Sequence, residues 1–483
     1  MDLIRYLFRF KIMAFIKKWD LVNFMLGSID ILAIALAFQC AYYLNYQETG
    51  GIFLNQKKFL VLFIVILPLW LIILYFIKNT EIPRTKRYRV MFFEYLQSAI
   101  IMLALLIITF LALKINAISA IFQIELTVFG FLLLFAVRIL EYKVFKTFRA
   151  KGYNQVNIVL IADESSQSFI DSLLLKPEWG YRIIAIFSTS LLLRKKYEKS
   201  IIFLPEENLA VLNDLIEGNI VDEVLYLKSK ALPAEVRKMV SSCEELGVIF
   251  RLKYNDNKIN LTNAIKTIIA NTSFLNFINT PNSPYELALK KIMDLNISLF
   301  MMITLSPVLL IIALLIKFSS RGPVIYKQAR VGLRGRKFNL YKFRTMVYNA
   351  ETLRKDLDAE NEVDGPVFKI KNDPRVTGIG KFLRKTGLDE LPQLFNIMKG
   401  EMSLIGPRPP LESETIQYKR WQLRRLSVKP GLSCFWQIKD DRNNIKFEKW
   451  MELDLAYIDN WSLRLDLMIF FKTIKTVFQR SGS

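Results

Sequence analysis

Asp389 and Glu390 stand side by side in "RKTGLDELPQLFNIMKGEMSLIGPRP", residues 384–409, flanked by Leu388 and Leu391. Arg384 and Lys385 lie just upstream, and Arg408 sits between two prolines downstream. The chain has no histidine. That excludes a Ser-His-Asp or Cys-His relay, an HExxH metal site and any imidazole acid or base. Proton and nucleophile chemistry must then rest mainly on carboxylates, with Lys, Tyr or Cys as alternatives. The three cysteines, Cys40, Cys243 and Cys434, are far apart and form no CxxC, so neither a disulfide framework nor a structural zinc site is expected. Two adjacent carboxylates in a low dielectric resist ionising together unless a cation shares them. As ordinary structure, Asp389 ahead of "ELPQLFN" would cap a helix, a role compatible with catalysis.

The elements that must hold this pair begin in a membrane. A chain of 483 residues argues for more than one domain. Its 52% hydrophobic content and net charge of +22 fit a membrane protein with a basic cytoplasmic face, not a nucleic-acid binder. Stretches at 21–44, 59–77, 90–113 and 118–145 are each long enough to span, which takes roughly 20 helical residues. Arg5, Arg9, Lys11, Lys17 and Lys18 precede the first; Arg84, Lys86, Arg87 and Arg89 separate the second from the third; Lys146, Arg149 and Lys151 follow the fourth. The positive-inside rule then puts both ends of a domain at 1–150 in the cytoplasm. No signal peptide is expected. Asp30 and Glu125, inside predicted spans, are expected to bond a neighbouring helix or to lie near an interface.

Residues 151–255 change rhythm. "VNIVLIA" (156–162), "RIIAIFS" (182–188), "SIIFL" (200–204), "DEVLYL" (222–227) and "VIFRL" (248–252) read as buried strands, with helical patterns near 168–175, 206–217 and 233–246. Such alternation predicts a doubly wound parallel sheet. The turn after its first strand, "ADESSQS", has no glycine to let a backbone approach a pyrophosphate, so a structural or dimerising role is expected. Residues 256–284 read as a linker.

The apolar run at 295–318 is also long enough to span, yet Lys290 and Lys291 precede it and Lys317, Arg321, Lys327 and Arg330 follow it. Ser306 and Pro307 stand at its middle, where proline breaks the helical ladder. A re-entrant helix over about 290–318, bent at that pair and returning to the same side, satisfies both flanks. The stretch 321–346 reads as a hairpin with "GLRGR" at its turn, and 449–478 as amphipathic helix at a membrane interface.

From about residue 285 to 482 the motifs fall in a specific order. They are Lys-Lys-x-x-Asp, Ser-Pro, Gly-Pro-Val, Lys-Phe-Arg-Thr-Met, Asn-Asp-Pro-Arg, Leu-Asp-Glu-Leu-Pro-Gln-Leu, Met-Ser-Leu-Ile-Gly-Pro-Arg-Pro, Lys-Pro-Gly and Asn-Trp-Ser. This series resembles the catalytic domain of monotopic phosphoglycosyl transferases, the bacterial sugar transferases. With four spans and a glycine-poor middle domain ahead of it, the whole chain is similar to the large subgroup. That subgroup includes the undecaprenyl-phosphate glucose and galactose phosphotransferases.

The resemblance implies a mixed membrane protein with a four-helix transmembrane bundle, a Rossmann-like α/β middle domain and an α/β catalytic domain at 285–483. It implies transfer of a sugar-1-phosphate from a UDP-sugar to undecaprenyl phosphate, starting exopolysaccharide, capsule or O-antigen repeat units at the bacterial inner membrane. Asp389 would be the nucleophile that expels UMP, and Glu390 would bind Mg²⁺ with Asp389 or handle the acceptor's proton. Lys342, Arg344, Arg375, Arg384, Gln393 and Arg408 would bind substrate phosphates, as charge-assisted donors can. A homodimer is also implied. The family often has Ser at Gly387, and after "FWQ" this chain has "IKDDRNN" where a Gly-Arg pair is common. Two other functions remain open: a membrane-tethered nucleotide-sugar oxidoreductase using the middle domain, and a non-catalytic scaffold.

Overall fold

In the computed structural model, residues 19–46, 51–77, 83–112, 119–204, 209–229, 232–254, 265–270, 272–277, 284–348, 350, 352–353, 365–367, 370, 373–439 and 445–478 are described. Four helices carry the apolar spans: α1 (Trp19–Asn45), α2 (Lys57–Phe76), α3 (Tyr88–Ala112) and α4 (Ala120–Ala150). Each holds a segment long and apolar enough to cross a membrane. A helix meets its own backbone hydrogen bonds where no water can. Phe38, Trp70, Met102 and Leu126, all fully buried, join the four. Asp30 is partnered: Arg138 of α4 donates Nη2 to its Oδ2 at 3.0 Å and Nε to the Tyr95 hydroxyl of α3 at 2.7 Å. Glu125 accepts from Asn45 of α1. The cations ahead of residue 19 lie outside the described residues.

Helix α4 is 31 residues long, and its far end is stitched to the segment ahead of α3, which in turn grips the next domain. The Tyr142 hydroxyl donates to Lys86 O at 2.8 Å and Arg149 Nη1 to Pro83 O at 3.0 Å. Arg84 Nη1 reaches Asn154 O at 3.0 Å and Trp179 O at 3.2 Å.

Beyond it come β1 (Val156–Ile161), α5 (Gln167–Leu174), β2 (Tyr181–Phe187), α6 (Leu191–Tyr197), β3 (Ile202–Leu204), α7 (Leu209–Gly218), β4 (Glu223–Tyr226), α8 (Pro233–Glu245) and β5 (Ile249–Lys253). These strands pair in parallel in the order β3-β2-β1-β4-β5. Ile158 and Leu160 feed one core while Val159 and Ile161 feed the other, as side-chain alternation on a two-sided sheet requires. The expected linker at 256–284 is corrected. Within it, β6 (Ile265–Ile269) and β7 (Thr272–Phe277) form an antiparallel hairpin that extends the sheet from β5. Burial of Phe274 and Ile269 under the sheet holds it there.

Helices α9 (Pro284–Thr304) and α10 (Ser306–Ser319) follow, bent 63° from one another. Pro307 sits in the first turn of α10, and the Ser306 hydroxyl donates to Ile303 O at 2.7 Å. Phe300, Ile303, Leu310 and Phe318 are exposed, an apolar surface unsuited to water. The expected hairpin is β8 (Ile325–Val331) and β9 (Lys337–Phe343). Then come α11 (Gly378–Thr386), a 3₁₀ turn (Leu388–Glu390), α12 (Gln393–Met398), β10 (Ser403–Ile405), β11 (Gly431–Ser433), α13 (Phe447–Asp459) and α14 (Leu463–Phe478). The Lys-Lys-x-x-Asp motif anchors α9. Asp294 accepts from Ser403 Oγ at 2.7 Å and Leu404 N at 3.1 Å, while Lys290 pairs with Asp466 of α14.

Candidate active site

Gly387 closes α11 in the left-handed region, φ 70°, and turns the chain into the 3₁₀ segment that carries the acid pair. Glycine takes this conformation without a Cβ penalty, a local reason for glycine here. The expected N-cap role of Asp389 is overturned. The pair lies inside the 3₁₀ turn, α12 begins at Gln393, and its cap position is Pro392, which has no side-chain acceptor.

The two acids have different surroundings. Asp389 is 8% exposed, whereas the Glu390 side chain is 35% exposed and accepts from Lys342 Nζ at 2.6 Å. Burial pushes the Asp389 carboxyl up to about 6 against the pull of Lys342 and Arg384, with Glu390 adding to the rise. Burial also opposes charge on Glu390, but Lys342, Arg408 and Arg330 outweigh it and hold that carboxyl below the ordinary glutamate range. One acid is thus kept ionised while its neighbour can exchange a proton near neutrality.

Several elements fix this arrangement. Asn396 of α12, fully buried, accepts from Tyr341 N at 3.0 Å and donates to Asn339 O at 2.7 Å, which sets β9 and its Lys342 against α12. Arg408 rides on a loop held at three carbonyls. Arg425 Nη2 reaches Arg408 O, Arg330 Nη1 reaches Pro409 O and Val331 N reaches Pro410 O, each at 2.9 Å. At the loop's start, a Cβ on Gly406 would stand 2.5 Å from Lys429 O, so only glycine lets β10 and β11 approach there. The Arg408 guanidinium has no ion pair among the described residues. Arg384 donates Nε to Thr345 Oγ1 at 3.0 Å and faces Asp389 electrostatically.

Lys342, Arg384, Asp389, Glu390 and Arg408 therefore come together. Arg344 does not join them by any contact seen among the described residues; its guanidinium is committed to Pro323 O and Ser320 O. Arg375 is committed to Asp373 and to Ala350 O. Gln393 is buried at the start of α12. Arg330 and Asn396 escape sequence reasoning, since each lies far in sequence from what it serves. Among the described residues no three acids, cysteines or histidines gather as a metal cage. Residues 440–444, most of the divergent "IKDDRNN" loop, lie outside the described residues.

The middle sheet has its topological switch point between the ends of β1 and β4, where the strand order reverses. Asp163 crosses it, its Oδ2 accepting from Ser229 N and Ser229 Oγ, each at 2.7 Å. Doubly wound sheets take a pyrophosphate at this point. Here a carboxylate stands in the way, which weighs against the oxidoreductase.

The family of bacterial sugar transferases matches residues 285–480, and a family described as a CoA-binding domain matches 80–253. A galactosyl transferase of Streptococcus agalactiae is 48% identical over 162 residues, 34% of this chain and 36% of that protein. An undecaprenyl-phosphate galactose phosphotransferase of Salmonella typhimurium is 42% identical over 200 residues, 40% of this chain and 41% of that protein. These matches span well under half of either relative. A UDP-glucose:undecaprenyl-phosphate glucose-1-phosphate transferase of Klebsiella pneumoniae is 32% identical over 342 residues, 68% of this chain and 69% of that protein.

Proposed function

The chain belongs to the bacterial sugar transferase family, and we propose that it moves a hexose-1-phosphate from a UDP-hexose to undecaprenyl phosphate at the bacterial inner membrane. The observation that carries this is the unequal acid pair, Asp389 buried and Glu390 salt-bridged to Lys342, inside the segment shared with the relatives. The names of those relatives point to hexosyl donors and a polyprenyl phosphate acceptor.

In this reading an Asp389 oxygen attacks the sugar-bearing phosphorus of the donor. The P–O bond to the uridine-side phosphate breaks, and UMP leaves with the electron pair. An oxygen of the acceptor's phosphate dianion then attacks the same phosphorus, the aspartyl–phosphorus bond breaks, and a lipid-diphosphate-sugar forms with Asp389 restored. Arg384, Arg408 and Lys342 offset the phosphoryl charge that would otherwise repel a carboxylate nucleophile. Two hard carboxylate donors without a third fit Mg²⁺, which binds through one or two carboxylates with phosphates and water completing its shell. Asp389 and Glu390 would hold it, and it would supply further charge neutralisation. Helices α9 and α10 would enter and leave by the cytoplasmic face, with α14 lying along it.

Intact mass after incubation with UDP-hexose and Mg²⁺ tests the reading. Wild type should gain a phosphohexose and release UMP before acceptor is added. Asp389→Asn should keep its fold, form no adduct and lose at least about a thousandfold in transfer. Transfer that requires both substrates together, with no adduct, would mean direct displacement.

A further inference from the structure

The hairpin of β8 and β9 feeds the site from both strands. Through β8, Arg330 and Val331 hold the carbonyls after Arg408; through β9, Lys342 meets Glu390. Its tip packs beside residues 424–427 of the catalytic domain, but the ion pairs of its two tip arginines run to the middle domain. Arg336 makes a forked pair with Asp222, Nη1 to Oδ1 at 2.7 Å and Nη2 to Oδ2 at 2.6 Å, and Arg334 Nη1 adds a third bond at 3.1 Å. Asp222 belongs to the middle domain, at the start of β4. It is 1% exposed and is itself fixed by Asn157 N at 2.9 Å. Arg334 accepts a left-handed backbone, φ 53°, although glycine or asparagine would adopt it at less cost. An arginine there is explained by the carboxylate it reaches. Arg420 also crosses between the domains, to Asp214 and Glu217, and Leu423 and Ser427 pack against the middle domain.

We infer that Asp222 is a positioning residue for the transfer reaction: the middle domain grips the tip of the catalytic hairpin and so sets the places of Lys342 and of the Arg408 loop. The inference rests on residues 389–390 being the reaction centre. A forked arginine–carboxylate pair fixes orientation as well as distance, and a displacement of about 1 Å at a reacting centre can cost up to roughly 100-fold. The glycine-poor middle domain then has a task that needs no nucleotide.

Full-length protein in lipid nanodiscs provides the test. Asp222→Asn keeps shape and loses charge; Arg336→Ala removes the fork from the hairpin side and leaves the middle domain untouched. Both should lower UMP turnover by about tenfold to 100-fold with the UDP-hexose KM within about twofold of wild type. Both should raise hydrogen exchange in 325–331, above all at the Val331 amide that donates to Pro410 O. Asp222→Glu should recover most of the turnover, and Asp214→Asn should match wild type. Wild-type turnover in Arg336→Ala, or lost turnover with unchanged exchange at the Val331 amide, would overturn the inference. If wild type itself releases no UMP, the transfer reading fails, and exchange at the Val331 amide in Arg336→Ala still decides whether the grip reaches the loop.

Discussion

Lys342 Nζ lies 2.6 Å from Glu390 Oε1, while Asp389, the next residue along, is almost fully buried and forms no ion pair among the described residues. Two identical functional groups, adjacent in the chain, are thereby given different protonation behaviour. The asymmetry comes from the burial of Asp389 and from the hydrogen bond that Lys342 of β9 makes to Glu390, with Arg408 and Arg330 adding to that side.

Removing that cation should therefore act through Glu390. Lys342→Met and Glu390→Gln should each cut turnover about tenfold or more, and the double variant should be little worse than the poorer single one. A double-mutant cycle reads this as a coupling of roughly 1–3 kcal/mol. Additive losses would place Lys342 on a substrate phosphate instead.

Gly406 offers a purely steric test. A Cβ would meet Lys429 O at 2.5 Å and Gly431 N at 2.9 Å, both backbone atoms that cannot rotate away. Gly406→Ala should destabilise the catalytic domain by roughly 1–3 kcal/mol and displace Arg408. Turnover should fall more than the lowered melting temperature accounts for.

Asp163 sets an acid limit on the middle domain. Burial works against its charge, but bonds from Ser165, Ser229 and Ser166 outweigh it and hold the carboxyl at about 2. A depressed carboxyl stabilises the fold above its ordinary value, near 3.8, and loses that contribution as pH falls toward 2. Asp163→Ala should exchange amide hydrogens in β1 and β4 faster than wild type at pH 6. The ratio between the two should shrink between about pH 4 and pH 2. A ratio that stays constant would show that the serine bonds contribute nothing ionic.

The bend between α9 and α10 predicts a topology. Lys290 is occupied by Asp466, so the exposed Lys291 is the better probe. With Cys40, Cys243 and Cys434 replaced, cysteines at Lys291 and Arg321 should both react with a membrane-impermeant reagent from the cytoplasmic side only. Labelling of Arg321→Cys from the opposite side would make the pair a broken span.

Patterns with a fixed period were readable in advance. The four apolar helices, the five parallel strands and the "GLRGR" hairpin turn follow from runs and alternation that the sequence displays locally. The β6–β7 hairpin is not legible in the sequence, because its turn passes through Ala270 at φ 50°, with no glycine to mark it. At the site, the carboxylates and Lys342 could be singled out by type and motif. Arg344 and Arg375 carry the same chemistry in the same motifs, but each bonds backbone carbonyls, with Asp373 as a further partner for Arg375. Charge and spacing cannot separate a ligand from a strut; only the packed partners do. Arg138 shows the same limit in the membrane, where Asp30 looks solitary until α4 is laid beside α1.

Helix α4 has one more consequence. At 31 residues it is about 46 Å long, well beyond the roughly 30 Å of hydrocarbon it has to cross. The surplus makes it a shaft, fixed in rotation by Tyr142, Arg149 and the Arg84 contacts at its end. Along such a shaft, residue count is a phase angle. One residue inserted after Tyr142 would lift the middle domain by only about 1.5 Å but turn it by about 100° about the helix axis. That rotation would swing Asp222 away from the hairpin tip, so the length of a membrane helix sets the bearing of a contact far outside the bilayer.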